Sequence, residues 1–301
     1  MIAVDWGTSS LRAFRLDAAG VVLESRRSDQ GAMKSQGCFG AVLAGIVEGW
    51  DDGLVIMSGM VGSRQGWKEV GYVECPVDAA RIAAHLQPMP AGTLPGREIW
   101  LVPGLSAFDR DRVPDVMRGE ETQVCGLLAQ LGEGAHYVCL PGTHSKHVRL
   151  VDGRIDGFST LMTGELFDLL RNHSLLGRLM EDGPLDAHAF AEGVAMAARP
   201  AGLLQQLFTV RSRALFDQFG PRQVPGYLSG LLIGHELRAV PDDVRHVHVV
   251  SADGLAAPYL EALRLRGLTA THHHEDAAAK GMHLLAGLRG LAPVRSRGAG
   301  P

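Results

Sequence analysis

The feature that most limits what this chain can fold into is a short line written twice, IAVDWGTSSLRAFRLDAAGVVLE (Ile2–Glu24) at the start and YVCLPGTHSKHVRLVDGRI (Tyr137–Ile155) near the middle. Each copy runs from an apolar segment through a Gly-Thr turn, with a serine two residues after the threonine, into a second alternating segment, which is the pattern of a β-hairpin. In the first copy Ile2, Val4 and Trp6 alternate with Ala3 and Asp5. In the second, Val138 and Leu140 precede Pro141-Gly142, and Val148, Leu150 and Val151 follow. Setting Gly7 on Gly142, an offset of 135 residues, also sets Thr8 on Thr143 and Ser10 on Ser145.

Both turns have the chemistry of an anion cradle. Glycine lets the backbone approach a ligand, and successive N–H groups together with threonine and serine hydroxyls can donate to phosphate oxygens. The candidates are Gly7, Thr8, Ser9 and Ser10 in the first turn and Gly142, Thr143, His144 and Ser145 in the second, with Lys146 adding positive charge. Asp5, at the end of the first strand, suits a hydrated Mg²⁺, which usually keeps several waters and takes one or two carboxylates plus phosphate. Two ordinary hairpins with polar turns would use the same residue types.

With 301 residues the chain has room for two domains of about 150 residues each. An apolar content of 46% with 21% charged residues describes a soluble globular protein, and a net charge of −4 without a Lys/Arg stripe argues against nucleic-acid binding. Cys38, Cys75, Cys125 and Cys139 are scattered, so their spacing suggests neither a zinc site nor a disulfide framework, and they read as buried thiols in a reducing compartment. A strand beginning at Ile2 leaves no room for a signal peptide, and no apolar run approaches the ~18 residues of a membrane span. The expected location is the cytoplasm.

The pattern along the chain predicts a third strand at Val21–Glu24, a helix over Phe39–Trp50, a buried strand over Gly53–Gly62, a short helix at AARIAAHL and another buried strand over Glu98–Leu105. A helix opening at Gly119, with acidic residues in its first turn, is expected to connect two domains. After the second hairpin come a strand over Gly157–Met162 and helices over Gly164–Met180, Asp186–Ala198, Ala201–Phe219 and Pro225–Val240. A strand over His246–Gly254, a helix through LAAPYLEALRLRG and a last helix over Glu275–Gly290 complete the order. The fold class expected is α/β, as two domains of duplicated β-β-β-α-β-α topology flanking a cleft. The domains divide as 1–118, a connecting helix at 119–134, 135–290, and a disordered tail at 291–301.

That duplicated unit resembles the actin-like (ribonuclease H-like) ATPase and sugar kinase superfamily. Six phrases, VDWGTSSLRAF, SGMVGSRQGWKEVGYVECP, PDVMRGEETQVCG, LPGTHSKHV, TLMTGELFDLL and YLSGLLIGHEL, resemble one family within it, the 2-dehydro-3-deoxygalactonokinases, over roughly residues 1 to 290. The resemblance implies transfer of phosphate from ATP to the terminal hydroxyl of 2-dehydro-3-deoxy-D-galactonate in galactonate breakdown. The chain departs from the superfamily at the adenosine-binding turn, where VVSADGLAAPYLEAL keeps only Gly254 of a usually glycine-rich segment.

Phosphoryl transfer needs positioning, charge neutralisation and a group that orients the attacking hydroxyl. Asp5 would position Mg²⁺. Glu120 and Glu121, in the first turn of the helix from Gly119, are candidates for the base, and the Glu that related phosphatases carry at the equivalent place favours Glu121. Such residues also simply complement a helix dipole. Arg64 suits the substrate carboxylate, Gln65 and Trp67 the sugar chain, and Arg12 is a second carboxylate candidate. THHHE (Thr271–Glu275) reads as a loop or strand end, because adjacent histidines on a strand point to opposite faces and do not converge on one metal. The alternatives to this kinase are a kinase of the gluconate-derived epimer, a superfamily phosphohydrolase in which Glu121 activates water on polyphosphate or nucleotides, and a sugar-sensing regulator. The partners expected are ATP and a sugar acid, with no nucleic acid and no membrane; a homo-oligomer is compatible with the sequence.

Overall fold

The computed structural model of the chain describes residues 1–291. The hairpins open two sheets with the same strand order. In the first, β1 (Ile2–Trp6) pairs antiparallel with β2 (Leu11–Leu16), β2 with β3 (Val22–Ser28), and β4 (Leu54–Gly59) joins β1 in parallel. Next in the chain, β5 (Tyr72–Glu74), β6 (Gln87–Pro88), β7 (Glu98–Leu101), β8 (Gly104–Phe108) and β9 (Pro114–Met117) divide between this sheet, ordered β3-β2-β1-β4-β7-β6, and a small sheet, β5-β8-β9. The other large sheet takes β10 (Ala135–Leu140), β11 (Ser145–Val151), β12 (Arg154–Leu161), β13 (His246–Ser251) and β14 (Thr269–His274) in the order β12-β11-β10-β13-β14. Apart from the short β6, each sheet therefore reads third, second, first, fourth, fifth.

Nine helices are described: α1 (Phe39–Ile46), α2 (Ala79–Ala84), α3 (Glu120–Leu131), α4 (Thr163–His173), α5 (Ala187–Ala197), α6 (Leu203–Leu215), α7 (Val224–Glu236), α8 (Asp253–Leu265) and α9 (Ala277–Arg289). Strands β1 and β4, a parallel pair inside the sheet, are buried along their whole length, Asp5 and Ser58 included. Ile2, Val4 and Trp6 pack there with Leu43, Val55, Met57 and Leu101. A separate core gathers Tyr137, Cys139, Phe190, Val247, Val249 and Leu263.

By contacts the chain forms two compact units. One holds Met1–Ala135, Arg149–Phe158 and the described residues from Glu275 on, and the other holds His136–Val148 and Ser159–His274. The units thus do not follow the order expected from the sequence, in which the last helix belongs to 135–290. The reason is a close helix crossing: α9 lies on α3 so tightly that a Cβ added to Gly281 would stand 1.8 Å from the Thr122 carbonyl oxygen. Of the tail at 291–301, all but Leu291 falls outside the described residues.

Two element boundaries differ from expectation for local reasons. The helix expected to run to Met180 stops at His173, where Ser174 turns extended, donates its hydroxyl to the Leu170 carbonyl at 2.5 Å and accepts the Leu176 N–H at 3.0 Å. The strand expected over Glu98–Leu105 breaks at Val102-Pro103 into β7 and β8, which belong to different sheets, because proline carries no N–H for a ladder. THHHE is no loop. Its histidines complete β14, parallel to β13 over six residue pairs.

The α3–α9 crossing admits no side chain at Gly281. Gly281→Val is expected to destabilise the protein by roughly 1–3 kcal/mol through overpacking, read as a fall in melting temperature, whereas the same change at Gly287, where an added Cβ meets nothing within 4 Å, leaves it nearly unchanged.

Candidate active site

The first turn is four residues long, Gly7 to Ser10, and Thr8, Ser9 and Ser10 are exposed. Its back is held by main chain: the Gly7 and Thr8 carbonyls accept N–H bonds from Ala32 at 2.9 Å and Met33 at 3.2 Å. Gly31 sits so close beneath that a Cβ there would be 2.3 Å from the Ser9 carbonyl carbon. The second turn, Pro141 to His144, is braced in the same way. Glu165 donates its N–H to the Thr143 carbonyl at 2.9 Å, and a Cβ on Gly164 would be 2.3 Å from the Gly142 carbonyl oxygen. Thr143 and His144 are exposed, and His144 Nε2 meets Glu165 Oε2 at 2.5 Å.

The two turns are not equivalent residue by residue. Pro141 ends β10 early, so Ser145, matched to exposed Ser10 in sequence, is instead the first residue of β11 and fully buried. Tyr259 gives its hydroxyl hydrogen to Glu236 Oε2 at 2.7 Å, so the Ser145 hydroxyl donates to the Tyr259 oxygen at 3.1 Å. Its single O–H is turned inward. Lys146 is buried as well and donates to Thr160 Oγ1 at 2.9 Å.

The acidic candidates meet where β1, β4 and α3 converge. The β1–β4 register sets Asp5 opposite Ser58 and Trp6 opposite Gly59. Gly59 has φ +90° and Gly119, just before α3, has φ +111°, conformations that glycine alone adopts without strain. A Cβ on Gly119 would lie 3.3 Å from Gly59 Cα and 3.9 Å from Asp5 Oδ1. Thr122 ties the helix start down, donating to the Gly119 carbonyl at 2.7 Å with its hydroxyl 3.3 Å from that of Ser58.

Asp5 is buried, and its Oδ2 accepts from Arg12 Nη2 at 2.5 Å. The Arg12 guanidinium also pairs with Glu275, which Arg27 Nη2 reaches at 2.9 Å. Burial nevertheless outweighs Arg12 and raises the Asp5 carboxyl above its ordinary value. Asp5 Oδ1 lies on the glycine side, 3.4 Å from where a Cβ on Gly59 would stand.

Glu121 is enclosed. Its Oε2 accepts the Gly119 N–H at 2.6 Å, and its Oε1 is buried without a protein partner. Burial, helped by the neighbouring charge of Glu120, pushes its carboxyl up to about 8. Glu120 is only half-buried and accepts the Arg118 N–H through Oε2 at 3.0 Å.

Of the substrate candidates, Arg64 is 88% exposed and pairs loosely with Glu69 at 3.4 Å. Gln65 beside it is exposed, and Trp67 lies stacked on Phe39 with ring centroids 5.9 Å apart. Arg12 is committed to two carboxylates. Gly254 is exposed in the first turn of α8. Sequence reasoning passed over Ser58, Gly59, Thr122 and Glu275. It also passed over Arg118, stacked on Tyr72 at 4.6 Å, whose Nε and Nη1 are buried without a protein acceptor. Its place directly before Gly119 in PDVMRGEETQVCG was the available signal.

The family model described as 2-keto-3-deoxy-galactonokinase matches residues 5–285. An Escherichia coli protein named 2-dehydro-3-deoxygalactonokinase is 38% identical over 297 residues, covering 97% of both chains. A Rhizobium meliloti protein named "Probable 2-dehydro-3-deoxygalactonokinase" is 40% identical over 303 residues, again 97% of both. A crystal structure from Sinorhizobium meliloti under the same enzyme name superposes with a TM-score of 0.88 at 40% identity, covering 97% of this chain and 99% of that one. At 11% identity, the activator of 2-hydroxyisocaproyl-CoA dehydratase from Clostridium difficile, with bound ADPNP, has a TM-score of 0.52 and shares the fold. The fold is the actin-like α/β class that the duplicated hairpins implied.

The raised carboxyl of Glu121 makes a stability prediction. A group whose folded value lies above its unfolded one contributes stability that is complete below the unfolded value and is lost as pH rises through the folded one. For Glu121 that window runs from 4.5 to about 8. The melting temperature of Glu121→Gln relative to wild type should therefore climb between those pH values and level off above. A flat difference across thermal melts would show that this carboxyl does not titrate there.

Proposed function

Because the chain belongs to the 2-keto-3-deoxy-galactonokinase family, we propose that it transfers the γ-phosphoryl group of ATP to the terminal hydroxyl of 2-dehydro-3-deoxy-D-galactonate, giving the 6-phosphate and ADP in the cytoplasm. The observation that carries this reading is end-to-end similarity: two relatives bearing that enzyme's name each match over 97% of their length. Among the described residues no helix is long and apolar enough to cross a membrane.

In the first unit the backbone N–H groups and hydroxyls of Gly7, Thr8, Ser9 and Ser10 suit phosphate oxygens, and in the second unit those of Gly142, Thr143 and His144 do. Ser145 supports the second turn from within through Tyr259, and Lys146 contributes charge from beneath. Gly254, at the start of α8, is the residue suited to the nucleoside. Mg²⁺ supplies neutralisation of the phosphate charge when bound, and Asp5 is the residue suited to hold its water shell. Arg12 occupies Oδ2 and leaves Oδ1 on the side of Gly59 and Gly119.

Glu121 takes the proton from the attacking hydroxyl. Its carboxyl is raised to about 8 and its Oε1 lacks a donor, a place that a substrate hydroxyl would fill. Since Oε1 is enclosed, the segments around the start of α3 must part for that hydroxyl to arrive. Glu120 acts on Glu121 through its charge. Arg64 binds the carboxylate of the sugar acid, with Gln65 and Trp67 along its chain.

Incubation with ATP, Mg²⁺ and a panel of 3-deoxy-2-keto sugar acids tests the reading. ADP release should require the galactonate-derived acid. Equal release with no sugar acid would make the protein a hydrolase, and preference for the gluconate-derived epimer would change the substrate assignment. Glu121→Gln should lower kcat by about 10²- to 10⁴-fold with little change in KM for ATP, and Glu120→Gln should cost far less. Because a base must be ionised to act, kcat/KM of the wild type should rise with pH through about 8, and Glu121→Gln should lose that limb.

A further inference from the structure

A second buried cluster lies in the unit that carries the second turn, and the proposed phosphoryl transfer does not use it. Cys139 on β10, His147 on β11 and Glu236 at the end of α7 point their donor atoms at one another: Sγ to Nε2 is 3.6 Å, Sγ to Oε1 3.7 Å and Nε2 to Oε1 3.0 Å. All three residues are buried, with at most 2% exposure. Among the described residues this is the group of cysteine, histidine and acidic side chains whose atoms converge closely enough to hold a metal.

The surrounding hydrogen bonds fix which atoms carry protons. Tyr137 donates its hydroxyl to the Ala239 carbonyl at 3.2 Å, so its oxygen accepts from His147 Nδ1–H at 3.0 Å. Nε2 of His147 thus faces Glu236 Oε1 and Cys139 Sγ, and the Cys139 thiol donates to the same Oε1. The other carboxylate oxygen of Glu236 is taken by Tyr259 O–H at 2.7 Å. A sulfur, an imidazole nitrogen and a carboxylate oxygen of three buried residues thus face a common point. Bonds of about 2.3 Å to sulfur and about 2.0 Å to nitrogen and oxygen, at tetrahedral angles, separate ligand atoms by about 3.3 to 3.6 Å. The observed triangle is close to that size. A histidine whose other ring nitrogen is hydrogen-bonded and a carboxylate whose second oxygen is hydrogen-bonded are the usual supports of metal ligands.

We propose that Cys139, His147 and Glu236 bind one divalent cation of the zinc class, which fastens α7 to β10 and β11 beneath the second turn. Thiolate, imidazole and carboxylate together suit such an ion, and its two positive charges balance the thiolate and the carboxylate. On binding, the Cys139 thiol gives its proton to solvent as the sulfur–metal bond forms, with no change of oxidation state. The ligands lie 8 and 89 residues apart along the chain, which is why cysteine spacing suggests no zinc site.

The test is metal analysis of the full-length, untagged chain purified without chelator, together with absorption spectra of protein expressed in cobalt-supplemented medium. About one zinc per chain is expected in the first, and a thiolate-to-cobalt charge-transfer band in the second. Cys139→Ser should abolish the band and Cys38→Ser, at an exposed cysteine, should keep it; cobalt bound by the histidines of β14 alone would give no such band. If Cys139→Ser does not fold, X-ray absorption at the zinc edge of the wild type decides instead, with one sulfur at about 2.3 Å and nitrogen or oxygen at about 2.0 Å expected. Substoichiometric metal in wild type with no thiolate band would overturn the proposal and leave the three side chains hydrogen-bonded to one another. These readouts do not depend on activity, so they fail or succeed separately from the kinase reading.

Discussion

The contact between Gly59 and Gly119 fixes the arrangement around the acidic residues. Strand β4 must end and α3 must begin within van der Waals distance of each other, and both do so with a positive φ. A side chain on Gly119 would press on the Gly59 Cα and push the helix start away from the strand end, separating the Ser58 and Thr122 hydroxyls, and one on Gly59 would stand 2.6 Å from the Trp6 carbonyl oxygen. The sheet register then delivers Asp5 to the same spot from β1. Glu121 folds back on the Gly119 N–H, where the positive end of the helix dipole offsets part of the cost of burying a carboxyl. The rest of that cost stays as a raised proton affinity, and a base needs proton affinity.

The sequence disclosed the duplication because a hairpin is local. Alternating apolar residues around a Gly-Thr turn are enough to specify β1-β2 and β10-β11, and the shared strand order of both large sheets follows from them. What stayed hidden was register at one residue. Pro141 shortens β10, so the alignment that matches Ser10 with Ser145 compares an exposed turn residue with a buried strand residue. The bracing glycines, Gly31 and Gly164, come from segments well after each turn, and nothing in a hairpin's own pattern points to them.

Long-range pairs were the other part that could not be read. Glu275 lies far from Arg12 in the chain and belongs to a segment read as the end of the second domain, yet it packs in the first unit and pairs with that arginine. Strand β14 could be read only as a loop or strand end because Thr269 to His274 are mostly polar and half-buried or exposed, and its support comes from parallel pairing with β13 rather than from an apolar run. Its adjacent histidines do separate as strand geometry requires: His273 Nε2 meets His248 Nδ1 at 3.1 Å, whereas His272 Nε2 turns to the Ser251 carbonyl at 3.0 Å.

The ion pairs around Asp5 bear on which arginine meets a substrate carboxylate. Asp5, Arg12, Glu275 and Arg27 form a chain of alternating charge, and its inner members are largely shielded from water. Drawing Arg12 away toward a ligand would leave Asp5 a buried carboxylate without its cation and Glu275 with Arg27 alone, which is far costlier than losing a surface pair. Arg64 is bound by no such constraint. It is almost fully exposed, and its pairing with Glu69 is of the solvent-screened kind that contributes little. An incoming carboxylate can take Arg64 from Glu69 at small expense, whereas Arg12 is held where Asp5 needs it.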